Sequence, residues 1–365
     1  MTTRVAVAMS GGVDSSVTAA LLKQQGYDVI GITLRLWEEP LGQDEVENPK
    51  ACCTLSSVDD AKTVASIIGI PHYTLDFRDI FQQYVIDYFV RAYAKGMTPN
   101  PCIACNKWIK FGLLWEKARQ FGADFVATGH YARVEWNEER QLYELKRGHD
   151  RRKDQSYVLY QLTQSLLPHV MFPMAALEKS QTRDLAKKFG LPVFNKPESQ
   201  DICFITDNDY KRFLMERIPK SFRPGNFVYG DHRVAGRHKG IPSYTIGQRR
   251  GLGLGGPGGA VYVTDMDVAH NEVVVGPENE LFSSTVYVTD PSWVEMEHLQ
   301  APLRAEGKIR YAAKEAACTV YPEDSGFRVV FDEPQRAVTP GQALVLYDGE
   351  RVLGGGVIYS TVKGE

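Results

Sequence analysis

Apolar positions in the first half of the chain follow two alternating patterns. Short strand-like runs stand at residues 5–9, 29–34, 72–75 and 125–127. Between them, apolar residues recur every three or four positions and predict helices over 15–25, 58–68, 79–93 and 107–121. In the last of these, Leu113, Leu114 and Ala118 share a face that stops at Gly122. Strands alternating with helices predict a parallel sheet covered on both sides, whose ligands sit beyond the carboxyl ends of the strands.

The pattern then changes. Two polar-alternating runs around Asn137-Glu138-Glu139-Arg140-Gln141 predict a hairpin over 131–147, and a helix is expected over 181–189, stopped by Gly190 and Pro192. Beyond about residue 208, runs at 261–263, 272–275, 285–288, 328–331, 343–346 and 352–358 read as strands separated by Gly, Pro, Asp and Asn. Two small β-barrels fit these better than one sheet. The expected organisation is therefore α/β: a Rossmann-like domain at 1–208, a small β-rich domain at 209–281 and a β-barrel at 282–365.

Composition narrows the classes. Of 365 residues, 43% are apolar and 24% charged, and the net charge is −3, which excludes a generally basic, nucleic-acid-coating protein. No apolar run is long enough to span a membrane, and Met1 to Arg4 lead straight into the first strand, so a cytoplasmic protein without a signal peptide is expected. Six cysteines, Cys52, Cys53, Cys102, Cys105, Cys203 and Cys318, suit reactive or metal-bound thiols better than structural bridges.

The first strand runs into Ser10-Gly11-Gly12 and then a helix. Such a turn offers unpaired N–H groups and the positive end of a helix dipole to a phosphate, with glycines allowing close backbone approach. Ser10, Ser15 and Ser16 add hydroxyls, and Asp14 can orient a magnesium ion. No Lys follows as in a Walker loop, and the three spaced glycines of a dinucleotide fingerprint are missing. Ser-Gly-Gly-Val-Asp-Ser instead resembles the PP-loop of ATP pyrophosphatases, the adenine nucleotide alpha hydrolase-like group, which release pyrophosphate while adenylating an oxygen.

Three further stretches carry chemistry. Cys102 and Cys105 follow Pro99 and Pro101, and with a helix starting near Lys107 the dipole favours a thiolate at Cys105. Cys203 lies in the polar segment Glu198 to Phe204, and two thiols close in space can relay sulfur through a persulfide and a disulfide. Gly129 follows a strand that ends beside the glycine loop. His130 is read equally well as a satisfied strand-end histidine, and Arg147, Arg151, Arg152 and Lys153 form a basic cluster able to meet a polyanion.

Together with Asn100-Pro101, Cys105-Asn106, Ile109 to Gly112, Ala127 to Tyr131, Lys153 to Tyr157, Ser199 to Phe204, Gly240-Ile241 and Thr245 to Leu252, the loop resembles the bacterial tRNA-specific 2-thiouridylases over essentially the whole chain. The resemblance implies ATP-dependent replacement of the C2 oxygen of the wobble uridine, position 34 of tRNA, by sulfur. It implies ATP contacts at Ala8, Met9, Ser10, Gly11, Gly12, Val13, Asp14, Ser15, Leu34 and Gly129, with Asp14 counted among the catalytic residues and Mg2+ arriving with ATP. Cys203 would carry a persulfide, loaded by a sulfur-carrier protein fed by a cysteine desulfurase. Cys105 would free sulfide from it or resolve it after attack. His130, Lys153, Asp154, Gln155, Arg310, Tyr311 and Gln342 fall at tRNA-contact positions.

Some relatives carry Asp where this chain has Cys102, a position associated with the target base. That third thiol leaves open an iron–sulfur cluster on Cys102, Cys105 and Cys203, less favoured than the persulfide. A zinc site using Cys52 and Cys53 lacks compact four-ligand spacing. Competing readings are a PP-loop synthetase or amidotransferase, which needs no paired redox thiols, and a non-catalytic tRNA-binding protein.

Overall fold

The computed structural model describes residues 2–37, 55–197, 202–254 and 259–363; Cys52, Cys53 and Glu198 to Asp201 lie outside them. The chain divides into two compact units, the first formed by residues 1–86, 101–208 and 350–352 and the second by the remainder.

In the first unit, strands β1 (Arg4–Ala8), β2 (Asp28–Arg35), β3 (His72–Asp76) and β4 (Phe125–Ala127) form where the strand-like runs stand. A hairpin, β5 (Ala132–Asn137) and β6 (Leu142–Arg147), follows, and then the two-residue strand β7 (Val170–Met171). The sheet order is β3-β2-β1-β4-β7, and every pairing in it is parallel. Order therefore reverses between β1 and β4, and the crevice beyond their carboxyl ends is the position such sheets use for ligands. Helices α1 (Val13–Gln24) and α2 (Leu55–Ile68) follow β1 and β2. Val17, Ala20, Val64 and Ala65 join Val5 and Val7 in the core.

The helix expected over 107–121 begins earlier, at Pro101, as a short α segment (Pro101–Ala104), continues as a π-helix (Cys105–Leu113) and ends as an α-helix (Leu114–Gln120). Proline is favoured at a first helical position because its missing N–H has no partner to lose there. The first-turn thiol is thus Cys102, which corrects the expectation that the dipole acts on Cys105. Likewise 79–93 is not one α-helix but α (Arg78–Phe81), π (Gln82–Ile86) and α (Asp87–Ala94).

The second unit is β-rich. Its first sheet contains β8 (Gly225–Val228), β9 (Val234–His238), β10 (Tyr262–Asp267) and β11 (Glu272–Gly276), in the order β10-β11-β8-β9. Its second contains β12 (Phe282–Trp293), β13 (Leu303–Lys308), β14 (Ala316–Glu323), β15 (Gly326–Arg336), β16 (Ala343–Asp348) and β17 (Arg351–Lys363). These run β12-β15-β14-β13-β16-β17, and a β12–β17 pairing closes six strands into a barrel. Cys318 is fully buried in the barrel core, where burial pushes its thiol up to about 12. It is a small apolar packing residue, not the reactive thiol its count among the cysteines implied.

Candidate active site

The phosphate loop is built by a few specific contacts. The strand ends as Met9 N–H donates to Ile32 O at 2.8 Å. Gly11 then turns the chain with φ +69°, and a Cβ there would lie 2.2 Å from Ser57 O, so only glycine fits. Gly12, in extended conformation, is the N-cap of α1 and offers no side-chain cap. The first-turn N–H groups, with the dipole behind them, are therefore available to an anion. Ser10 N–H donates to Ser15 Oγ at 3.1 Å, which folds the loop back over the helix start.

The segment after β4 closes on this loop. A Cβ on Gly129 would stand 2.8 Å from Asp14 C, Asp14 Cβ and Ser15 N, so the absence of a side chain lets two backbones meet at the crevice. Beside it lies a cavity of about 280 Å³. Its wall includes Ala8, Met9, Ser10, Asp14, Ser15 and Leu34 from the loop side, and Gly129, His130 and Gln155 from the β4 side. Cys102, Cys105 and Cys203 line the same cavity; Cys102 is exposed, the other two half-buried. Gly11, Gly12 and Val13 shape the loop without lining the cavity.

The electrostatics come from residues that the motifs did not single out. Lys179, only 12% exposed in its side chain, donates to both Asp14 carboxylate oxygens at 2.7 Å. Tyr131 OH donates to Asp14 Oδ1 at 2.9 Å. Asp14 is thus neutralised at the point where a phosphate would enter. Lys196 Nζ donates to Gly11 O at 3.2 Å and to Asp60 at 2.6 Å, pinning the glycine turn to α2. Lys196 lies just before the polar segment that begins at Glu198; Lys179 sits on a helix (Lys179–Lys188) whose sequence looks like any polar surface helix.

His130 is buried, and its Nδ1 lies 2.6 Å from Thr128 Oγ1. Its Nε2 lies 3.5 Å from Lys110 Nζ, which can only donate, so Nε2 is the acceptor and Nδ1 carries the proton. Burial first, and the Lys110 charge second, hold His130 well below the ordinary histidine value. It is a neutral, fixed acceptor that aims Lys110 at the cavity that Lys110 also lines. Cys105 and Lys110 both reach that cavity because a π-helix, bonded i to i+5, repeats its face about five residues on. An α-helix would have separated them.

A histidine kept neutral on folding gives a pH dependence with a fixed sign. Below about pH 6.5 the unfolded chain binds a proton that the folded chain refuses. His130's contribution is complete above that pH and lost as pH falls, by up to about 1.4 kcal/mol per unit. His130→Gln is expected to flatten the acid-side fall in thermal midpoint between pH 7 and 5. His72 and His238, also lowered mainly by burial, retain part of it. An unaltered slope would contradict a neutral, buried His130.

The remaining tRNA-contact positions are distributed differently. Asp154 accepts from Gly148 N–H, Ser156 N–H and Ser156 Oγ, and so organises its own turn. Gln155 Oε1 accepts from Tyr131 N–H and joins that turn to the segment after β4. Of the basic cluster, Arg147 is buried and Arg151 is ion-paired with Glu350, so Arg152, with the half-buried Lys153, carries its outward charge. Arg310, Tyr311 and Gln342 belong to the second unit, where Arg310 donates to Ala337 O at 3.1 Å and Gln342 to Thr98 O at 2.8 Å. Tyr311 is exposed.

The described residues do not by themselves make a cage for magnesium. Among the described residues the cavity wall has one acidic side chain, Asp14, and both its oxygens are bonded to Lys179. No group of three or more His, Cys, Asp or Glu side chains among the described residues is arranged to hold a metal ion.

A glycine loop at the order reversal of a parallel sheet, backed by an uncapped helix, places the first unit among the PP-loop nucleotide-binding domains. A family model described as tRNA methyl transferase HUP domain matches residues 3–207. Others described as a tRNA methyl transferase PRC-barrel domain and an aminomethyltransferase beta-barrel domain match 211–277 and 283–358. The chain is 50% identical to the tRNA-specific 2-thiouridylase MnmA of Desulforamulus reducens, over 99% of this chain and 98% of that one. It is 49% identical to a Caldanaerobacter subterraneus MnmA, over 99% of both. With that of Acetivibrio thermocellus it shares 48%, over 97% of this chain and 99% of that one. The chain belongs to the tRNA-specific 2-thiouridylase family.

Proposed function

We propose that this protein replaces the C2 oxygen of the wobble uridine of tRNA by sulfur, using ATP to activate the oxygen and a cysteine persulfide to deliver the sulfur. The observation that carries the reading is the single cavity lined by the phosphate loop, Gly129 and the thiols of Cys102, Cys105 and Cys203. A synthetase that adds nitrogen has no use for three cysteines beside its ATP.

The uridine C2 oxygen attacks the α-phosphorus of ATP, pyrophosphate leaves and the N3 proton is lost. The first-turn N–H groups of α1 hold the phosphates, and the Lys110 ammonium group offsets part of their charge. The terminal sulfur of a Cys203 persulfide then attacks C2, and AMP leaves with the original oxygen. The Cys105 thiolate attacks Cys203 Sγ, the C2-bound sulfur departs with the bonding pair, and N3 regains a proton. The products are 2-thiouridine, AMP, pyrophosphate and a Cys105–Cys203 disulfide, which an external thiol reduces before the next turnover. Sulfur reaches Cys203 from a carrier protein fed by a cysteine desulfurase, in the cytoplasm where tRNA is modified. Among the described residues no helix is long and apolar enough to cross a membrane.

The test is an assay with ATP, unmodified tRNA and a persulfide donor. Pyrophosphate release is expected to require tRNA and to match 2-thiouridine formation. Release driven by a small nitrogen donor, or none at all, would contradict the reading.

A further inference from the structure

The reaction above uses two of the three thiols that line the cavity and leaves Cys102 without a task. Cys102 stands three residues before Cys105 in a helix that runs unbroken from Pro101 to Gln120. Residues at that spacing are neighbours on a helix surface, with Cβ atoms about 5–6 Å apart. A disulfide needs about 3.5–4.5 Å between them, so a slight tightening of one turn lets the two sulfurs bond. Exposure separates the three thiols: Cys102 is exposed, whereas Cys105 and Cys203 are half-buried. The remaining cysteine among the described residues, Cys318, is buried in the barrel core. Each turnover leaves a Cys105–Cys203 disulfide, whether Cys105 attacks before or after sulfur reaches C2. That bond occupies Cys203, the thiol that must be loaded again, and both residues it joins are half-buried.

We propose that Cys102 is the resolving thiol that clears this disulfide. This rests on the reading that a Cys203 persulfide delivers sulfur in the cavity. The Cys102 thiolate attacks Cys105 Sγ, and a Cys102–Cys105 bond forms. The Cys105–Cys203 bond breaks, and Cys203 leaves with the bonding pair and regains the proton that Cys102 gave up. The exchange passes the oxidation from one pair of thiols to another and consumes no oxidant. An external thiol then attacks the exposed Cys102 Sγ, and Cys105 leaves as a thiolate. A second external thiol takes over the mixed disulfide and returns Cys102 to its thiol. Cys203 is thereby ready for a new persulfide while the reductant works at the one exposed sulfur of the three.

The experiment loads the protein with persulfide, removes the donor, and adds ATP and unmodified tRNA without reductant. Acid quenching, thiol alkylation and peptide mass spectrometry then map the bonds. The wild type is expected to show a Cys102–Cys105 disulfide with Cys203 alkylated, and Cys102→Ser to show a Cys105–Cys203 disulfide. With a persulfide donor and a protein dithiol as reductant, Cys102→Ser is expected to stall after one 2-thiouridine per protein. A concentrated small thiol, able to enter the cavity, is expected to restart it. A wild-type Cys105–Cys203 disulfide with Cys102 alkylated would overturn the inference. So would Cys102→Ser turning over like the wild type at every reductant concentration. A loss that concentrated thiol fails to restore, with a lowered melting temperature, would mark a structural side chain and also overturn it. Stoichiometric iron on the three thiols, supporting thiolation without any disulfide, would do the same. If the wild type itself forms no 2-thiouridine, the functional reading fails first, and that control tells the two failures apart.

Discussion

Cys203→Ser is expected to reduce 2-thiouridine to background while ATP affinity and tRNA-dependent pyrophosphate release persist. Serine nearly matches cysteine in shape, so the cavity wall it shares with Ser10 and Gly129 keeps its form. A hydroxyl, however, can carry no transferable sulfur. Cys105→Ser is more informative. If Cys105 resolves the persulfide after attack, its loss strands the tRNA as a C2–S–S–Cys203 adduct, which a thiol reductant splits to give 2-thiouridine. If Cys105 instead frees sulfide beforehand, no adduct forms. Mass spectrometry of the protein–tRNA mixture, with and without reductant, separates the two. Normal thiolation by either serine variant would remove the two-cysteine mechanism.

Gly129→Ala is expected to lower pyrophosphate release by more than about tenfold, a barrier change of about 1.4 kcal/mol or more. The added Cβ would meet Asp14 and the Ser15 nitrogen at 2.8 Å, and those neighbours are backbone or lie next to it. Neither can yield like the end of a flexible side chain, so the segment after β4 must move away from the start of α1. Overpacking of this kind costs about 1–3 kcal/mol, and here the displacement falls where the phosphates bind. Pyrophosphate release by a folded Gly129→Ala protein at the wild-type rate would show that the close approach has no part in ATP activation.

The parallel sheet was legible because β1, β2 and β4 are largely buried and read as mostly apolar runs, whereas β3, with no buried residue, shows only as a short strand-like run between helices. The barrel was only partly so. In β13 the inward positions are Ala305 and Gly307, too small to register as an apolar alternation. Gly307 is small for a reason the sequence does not reveal, since a Cβ there would stand 2.8 Å from the Phe331 ring. The glycine loop and Gly129 were readable as a motif, and the cysteines as a spacing. The Asp14–Lys179 pair joins residues 165 positions apart. The alignment of Cys105 with Lys110 depends on a π-helix that 3.6-residue periodicity cannot anticipate.

The account stands on activation of the base's own oxygen. The most direct measurement follows that atom. Unmodified tRNA carrying oxygen-18 at C2 of the wobble uridine is incubated with the protein, ATP and a persulfide donor, and the AMP is analysed by mass spectrometry. The account predicts one oxygen-18 in AMP for each 2-thiouridine formed and none in pyrophosphate. AMP without the label, or 2-thiouridine formed alongside ADP and phosphate, would contradict it.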